Sequence, residues 1–172
     1  SPPGAVTDFT SVTYGGQALT QVVEQLQHQT TAGGFSAIAE IWILDEAGLQ
    51  AAAGSTLVAT TTGGNGGVEA KRISSLFFSG VDQADPTGQT GTDGENANNT
   101  QTLSVTVTGG ELDAGDMVLA NNTVRNDQSG DTSWTWQNEF TQIGSYSPSG
   151  EPYLTYSDAQ ILADGTAETA TV

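Results

Sequence analysis

Cysteine is absent from this chain, which excludes a disulfide staple, a thiol nucleophile and any thiolate metal site. Basic residues are almost absent as well. Lys71, Arg72 and Arg125 stand against 20 acidic residues, for a net charge of −17. Three cations cannot hold a phosphate backbone or an anionic bilayer, so neither nucleic acid nor a membrane surface is an expected partner. Histidine occurs once, at His28 in a polar stretch running into a turn, where it reads as a surface residue and nothing encourages a nucleophile–base pair. No run approaches the ~20 apolar residues of a spanning helix, so no membrane insertion is expected. No secretory signal is visible, and Ser1, Pro2, Pro3 and Gly4 read as a processed start.

What is present is glycine, 22 of 172 residues, spaced between short β-prone runs. The length suits a single domain over residues 1–172. The hydrophobic share of 35% is low, but the apolar residues cluster at 38–44, 73–78 and 103–107 instead of scattering, which argues for a folded chain. Each of those runs could fill a sheet layer. Val12 and Tyr14 alternate ahead of Gly15-Gly16, a two-residue hairpin signal. Leu19, Val22, Val23 and Leu26 have helical spacing, yet their β-rich surroundings favour a strand over 19–26. Strands are expected over 55–62 and 68–78, the second ending in Leu76, Phe77 and Phe78.

Residues 79–100 form a long polar loop, of the kind that is usually functional or mobile. Leu103, Val105 and Val107 then alternate with Ser104, Thr106 and Thr108, the mark of a half-buried strand. Trp134, Trp136, Asn138 and Phe140 share one face of a further expected strand. The last two runs, 153–162 and 166–172, flank Asp164-Gly165 and predict a terminal hairpin. The sum is all-β: an antiparallel, jelly-roll-like β-sandwich of about nine or ten strands.

Candidate chemistry is sparse. Oxygen ligands converge in number on the long loop, where Asp82, Asp85, Asp93 and Glu95 make a calcium site possible. Asn126, Asp127 and Asp131 form a second acidic group, and neither matches the EF-hand pattern. Trp134, Trp136 and Asn138 have two readings: core, the commoner fate of strand aromatics, or a platform on which sugar rings stack. Glu40 stands out as a carboxylate inside an apolar run, facing an edge or paired with Lys71 or Arg72. Asn98 and Asn121 begin glycosylation sequons. No glycine cluster is followed by the Lys-Ser/Thr of a phosphate cradle.

Several stretches together resemble uncharacterised all-β modules of secreted bacterial surface proteins and phage structural proteins. They are VTYGGQALT at 12–20, IAEIWIL at 38–44, FSGVDQ at 78–83 followed by Pro86, and LSVTVT at 103–108 leading to Glu111, Leu112, Met117 and Val118. The resemblance spans most of the chain and rests on strand and turn patterns. It implies a jelly-roll-like sandwich on an exterior surface and transfers no active-site residue. Such modules usually carry a further hydrophobic strand at each end, which this sequence lacks. Either the sequence is a fragment, or a neighbouring subunit completes the sheet by β-augmentation.

The expectation that follows is a non-enzymatic structural subunit of a cell or virion surface, associating with copies of itself or a neighbouring subunit through sheet edges. A glycan-binding or adhesive module is the alternative. A glycoside hydrolase is the third reading, because 20 acids make any carboxylate pair easy to nominate and none informative.

Overall fold

A computed structural model describes residues 8–28, 36–62, 72–84, 86–94, 103–107, 112–125, 135–146, 154–164, 166 and 168–171. Among them the chain is all-β: ten strands and one short helix, arranged in four antiparallel sheets.

The first sheet has the order β2-β1-β5, from Asp8–Tyr14 (β1), Gln17–Ala18 (β2) and Leu57–Thr62 (β5). The expected hairpin is there. Gly15 and Gly16 turn the chain with φ of 54° and 84°, so that Tyr14 pairs with Gln17. Two successive left-handed residues match the twist of the flanking strands, and glycine takes them without penalty. Gly15 also has no room for a side chain, since a Cβ would lie 2.5 Å from the Gly54 carbonyl oxygen.

Thr20–His28 (β3) pairs with Ser36–Ile43 (β4) to make the second sheet, so the ambiguous segment is a strand. A bulge between Gln21 and Val23 explains its helical spacing. One extra residue shifts the phase of a period-two pattern, and apolar residues then fall three and one apart. The chain next forms Glu46–Ala51 (α1), a helix outside the sequence expectation. Its start was legible: Asp45 caps it by accepting from the Gly48 amide at 2.7 Å, and Glu46 lies in the first turn.

The third sheet places Leu154–Asp164 (β9) between Ala114–Arg125 (β7) and Thr141–Tyr146 (β8). The fourth pairs Ser104–Val107 (β6) with Glu168–Thr171 (β10). Ser157, Ala159, Ile161 and Ala163 of β9 share a face with Val118, Ala120 and Asn122 of β7. That face packs against Val107, Ala170, Leu112, Trp136 and Phe140, which forms the hydrophobic core. Two sheet layers thus meet through small inward side chains.

Three expectations fail. The terminal hairpin is not formed: β9 pairs with β7 and β8, while β10 crosses to β6. A turn dipeptide reverses the chain locally but does not choose the hydrogen-bond partner, and here the complementary faces choose it. Residues 135–140 are not a strand either, because Asn138 and Glu139 take φ of 55° and 66° and reverse the chain, with the Phe140 amide donating to the Gln137 carbonyl at 3.3 Å. Finally, residues 72–78 carry no strand, and Ile73, Leu76, Phe77 and Phe78 are exposed instead of filling a layer. Residues 68–71 of that expected strand lie outside the described residues. The described part of the long loop, 79–84 and 86–94, has no regular structure.

Candidate functional site

Three carboxylates come together where no motif announced them. Asp8 of β1, Glu24 of β3 and Glu40 of β4 each offer an oxygen within 4.8 Å of the others. Glu24 and Glu40 are direct cross-strand partners, an arrangement in which like charges repel. The donors around them are neutral. Trp42 Nε1 donates to Glu40 at 2.7 Å and the Phe9 amide at 3.4 Å, while Gln21 Nε2 donates to Glu24 at 2.9 Å and to Glu40 at 3.1 Å. Asp8 Oδ1 is buried without a donor. Burial pushes the Glu40 carboxyl above its ordinary value, and the charges of Asp8 and Glu24 push the same way, against the hydrogen bonds from Trp42 and Phe9.

A second polar cluster lies on the face of β9 opposite the core. Asp158 accepts from Ser74 Oγ at 3.0 Å and Asn121 Nδ2 at 2.9 Å, and pairs with Arg72 Nη2 at 3.0 Å. Gly144 of β8 leaves the space for this pair, since a Cβ there would come within 2.7 Å of Arg72 Nη2. Arg72 therefore serves Asp158, not Glu40. Arg72 Nη1 is buried with no partner. The signal that singled out Glu40, a carboxylate inside an apolar run, does not reach Asp158, which stands between Ser157 and Ala159 in a polar stretch.

Of the expected calcium ligands, Asp82 and Asp93 are among the described residues. Asp82 accepts from the Ala84 amide at 2.8 Å and so shapes its own turn. Asp93 accepts from the Gly94 and Ser104 amides, each at 2.8 Å, and secures the start of β6. Asp85 and Glu95 lie outside the described residues, as do Asp127 and Asp131. His28 ends β3 opposite Ser36. Asn121, the acceptor of one sequon, is tied to Asp158; Asn98 lies outside the described residues.

Of the expected glycan platform, Trp134 lies outside the described residues. Trp136 faces inward: its Nε1 donates to Ser157 Oγ at 2.6 Å, and its ring stacks on Phe140 at a centroid distance of 6.2 Å. Asn138 is exposed, with its amide donating to the Thr169 carbonyl at 2.9 Å and lying 3.2 Å from Thr171 Oγ1. It borders an open groove of about 330 Å³ shared with Glu139, Ile161, Leu162, Thr166 and Glu168.

The sheet edges are the most extensive feature. Among the described residues only β1 and β9 have a strand on both sides; the other eight strands each border a sheet. No family model, no curated protein and no solved structure matches this chain.

Proposed function

We propose that this protein is a non-enzymatic structural subunit of an extracellular or virion surface, a jelly-roll-like sandwich that joins copies of itself or neighbouring subunits through its sheet edges. The observation that carries this reading is that, among the described residues, eight strands border a sheet, four of them in sheets of only two strands. A two-stranded sheet is marginal alone, and a border strand offers a row of unpaired N–H and C=O groups to another chain. The small core agrees: its buried hydrophobic residues are Val12, Val118, Phe140, Ala159 and Ala163 among the described residues.

Light scattering coupled to size exclusion, read across protein concentration, tests the proposal. Oligomers are expected, with amide exchange slowing in β3, β4, β6 or β10 on assembly. A strict monomer at every concentration and salt would overturn it.

The groove beside Asn138 and Glu139 supports a second reading, a glycan-binding module. Its polar rim and the apolar Ile161 and Leu162 suit a sugar's hydroxyls and ring face. A glycan array without hits would remove it.

A further inference from the structure

Residues 73–81 contain no charged side chain in a molecule of net charge −17. Five large apolar residues there are open to solvent: Ile73 47%, Leu76 47%, Phe77 63%, Phe78 41% and Val81 39%. The segment is held in place nonetheless. Arg72 and Ser74 fix its start to Asp158, Phe77 meets the Tyr14 ring edge-on at 5.7 Å, and Gln83 accepts from the Glu46 amide at 2.9 Å. Among the described residues no backbone–backbone hydrogen bond engages it. It is thus an anchored apolar line outside any strand, bent at Ser79 and Gly80, where Gly80 takes φ of 79°, with the Val81 carbonyl accepting from Gln83 Nε2 at 2.9 Å.

We infer that residues 73–81 are the docking surface for a second copy of this chain, seated in an antiparallel, two-fold arrangement and controlled by ionic strength. The inference rests on the assembly reading above and names the surface through which assembly begins. Area favours this occupant. At roughly 200 Å² for a large side chain, the stated exposures leave on the order of 450 Å² of apolar surface open on each copy. Two copies would bury about 900 Å² from these side chains alone, most of the way to the ~1,200 Å² at which stable interfaces begin. A two-fold contact needs a self-complementary patch, and an uncharged, β-prone line paired with itself is one. The patch contains no repulsion, so the opposing force comes from the acidic remainder of each molecule. That force acts over about 10 Å at 0.1 M salt and about 3 Å at 1 M. A glycan would find few side-chain donors here, and an anionic bilayer would repel the chain.

Sedimentation velocity of the full chain at about 0.05 M and about 1 M sodium chloride tests the inference, the two settings lying on either side of the screening range. A monomer is expected at the lower salt and a dimer at the higher. Leu76→Asp and Phe78→Asp, each with an unchanged circular dichroism spectrum, are expected to weaken the dimer at least about tenfold. Leu162→Asp, at an exposed residue of β9, is expected to leave it intact. A dimer that survives both Leu76→Asp and Phe78→Asp would overturn this inference while leaving assembly through other edges standing. A monomer under every condition would overturn both.

Discussion

Glu40 shows how a single side chain can be conspicuous in sequence while its partners stay hidden. Its place inside an apolar run is visible; its neighbours Asp8 and Glu24 come from other strands, and pairing alone brings them close. Its raised pKa has a direct consequence for stability. A carboxyl whose folded value exceeds its unfolded one binds protons more tightly when folded. Its contribution is therefore fully present below the ordinary value of 4.5 and is lost as pH rises through the folded value. At neutral pH the ionised cluster costs stability. Glu24→Gln is expected to raise the unfolding free energy measured in urea at pH 7, by about 0.5 kcal/mol for one relieved cross-strand pair. At pH 4 the gain should shrink. An equal gain at both pH values would mean that Glu40 does not titrate against Glu24.

Turns and caps define the elements, and they divide into those that announce themselves and those that do not. Gly15-Gly16 behaves as its composition requires, and Asp45 begins its helix as a capping residue should. The reversal at Asn138 and Glu139 is different, because the second left-handed position holds a glutamate where glycine is usual. A non-glycine residue there carries about 1 kcal/mol of strain. Glu139→Gly is expected to recover about that amount in urea unfolding, with the Trp136–Phe140 stack preserved in the near-ultraviolet dichroism. A loss of stability would show that the Glu139 side chain contributes more than its backbone costs. Aromatic alternation over 134–140 suggests a strand because its periodicity is right. The reversal overrides it by folding Phe140 back onto Trp136.

At the level of the whole molecule, one cation out of three links parts of the chain 86 positions apart. Arg72 and Ser74 bind Asp158, which attaches the irregular 72–84 segment to the outer face of the β7-β9-β8 sheet. The pair is largely enclosed, with side-chain exposures of 18% and 10%. Removing one partner of such a pair leaves the other charge poorly compensated, at about 3 kcal/mol. Arg72→Met is expected to lower stability by about that much in urea unfolding, and to speed amide exchange in residues 73–81. Asn121 and Ser74 still donate to Asp158 in that variant, so a loss under 1 kcal/mol would show that those two hydrogen bonds suffice.

Composition and short-range pattern pointed to an all-β chain, to a hairpin at Gly15-Gly16 and to strands over 55–62 and 103–107, where β5 and β6 form; over 19–26 they favoured the strand that β3 proves to be. These features depend on residues a few positions apart, which local periodicity and backbone preference control. Which strands pair, which apolar run is left outside and which carboxylates meet depends on contacts between distant segments. β9 takes the centre of its sheet because its small inward residues match those of β7, and the run at 73–78 stays exposed because the core is filled without it. Those outcomes follow from complementarity between whole faces, a property that no window of neighbouring residues contains.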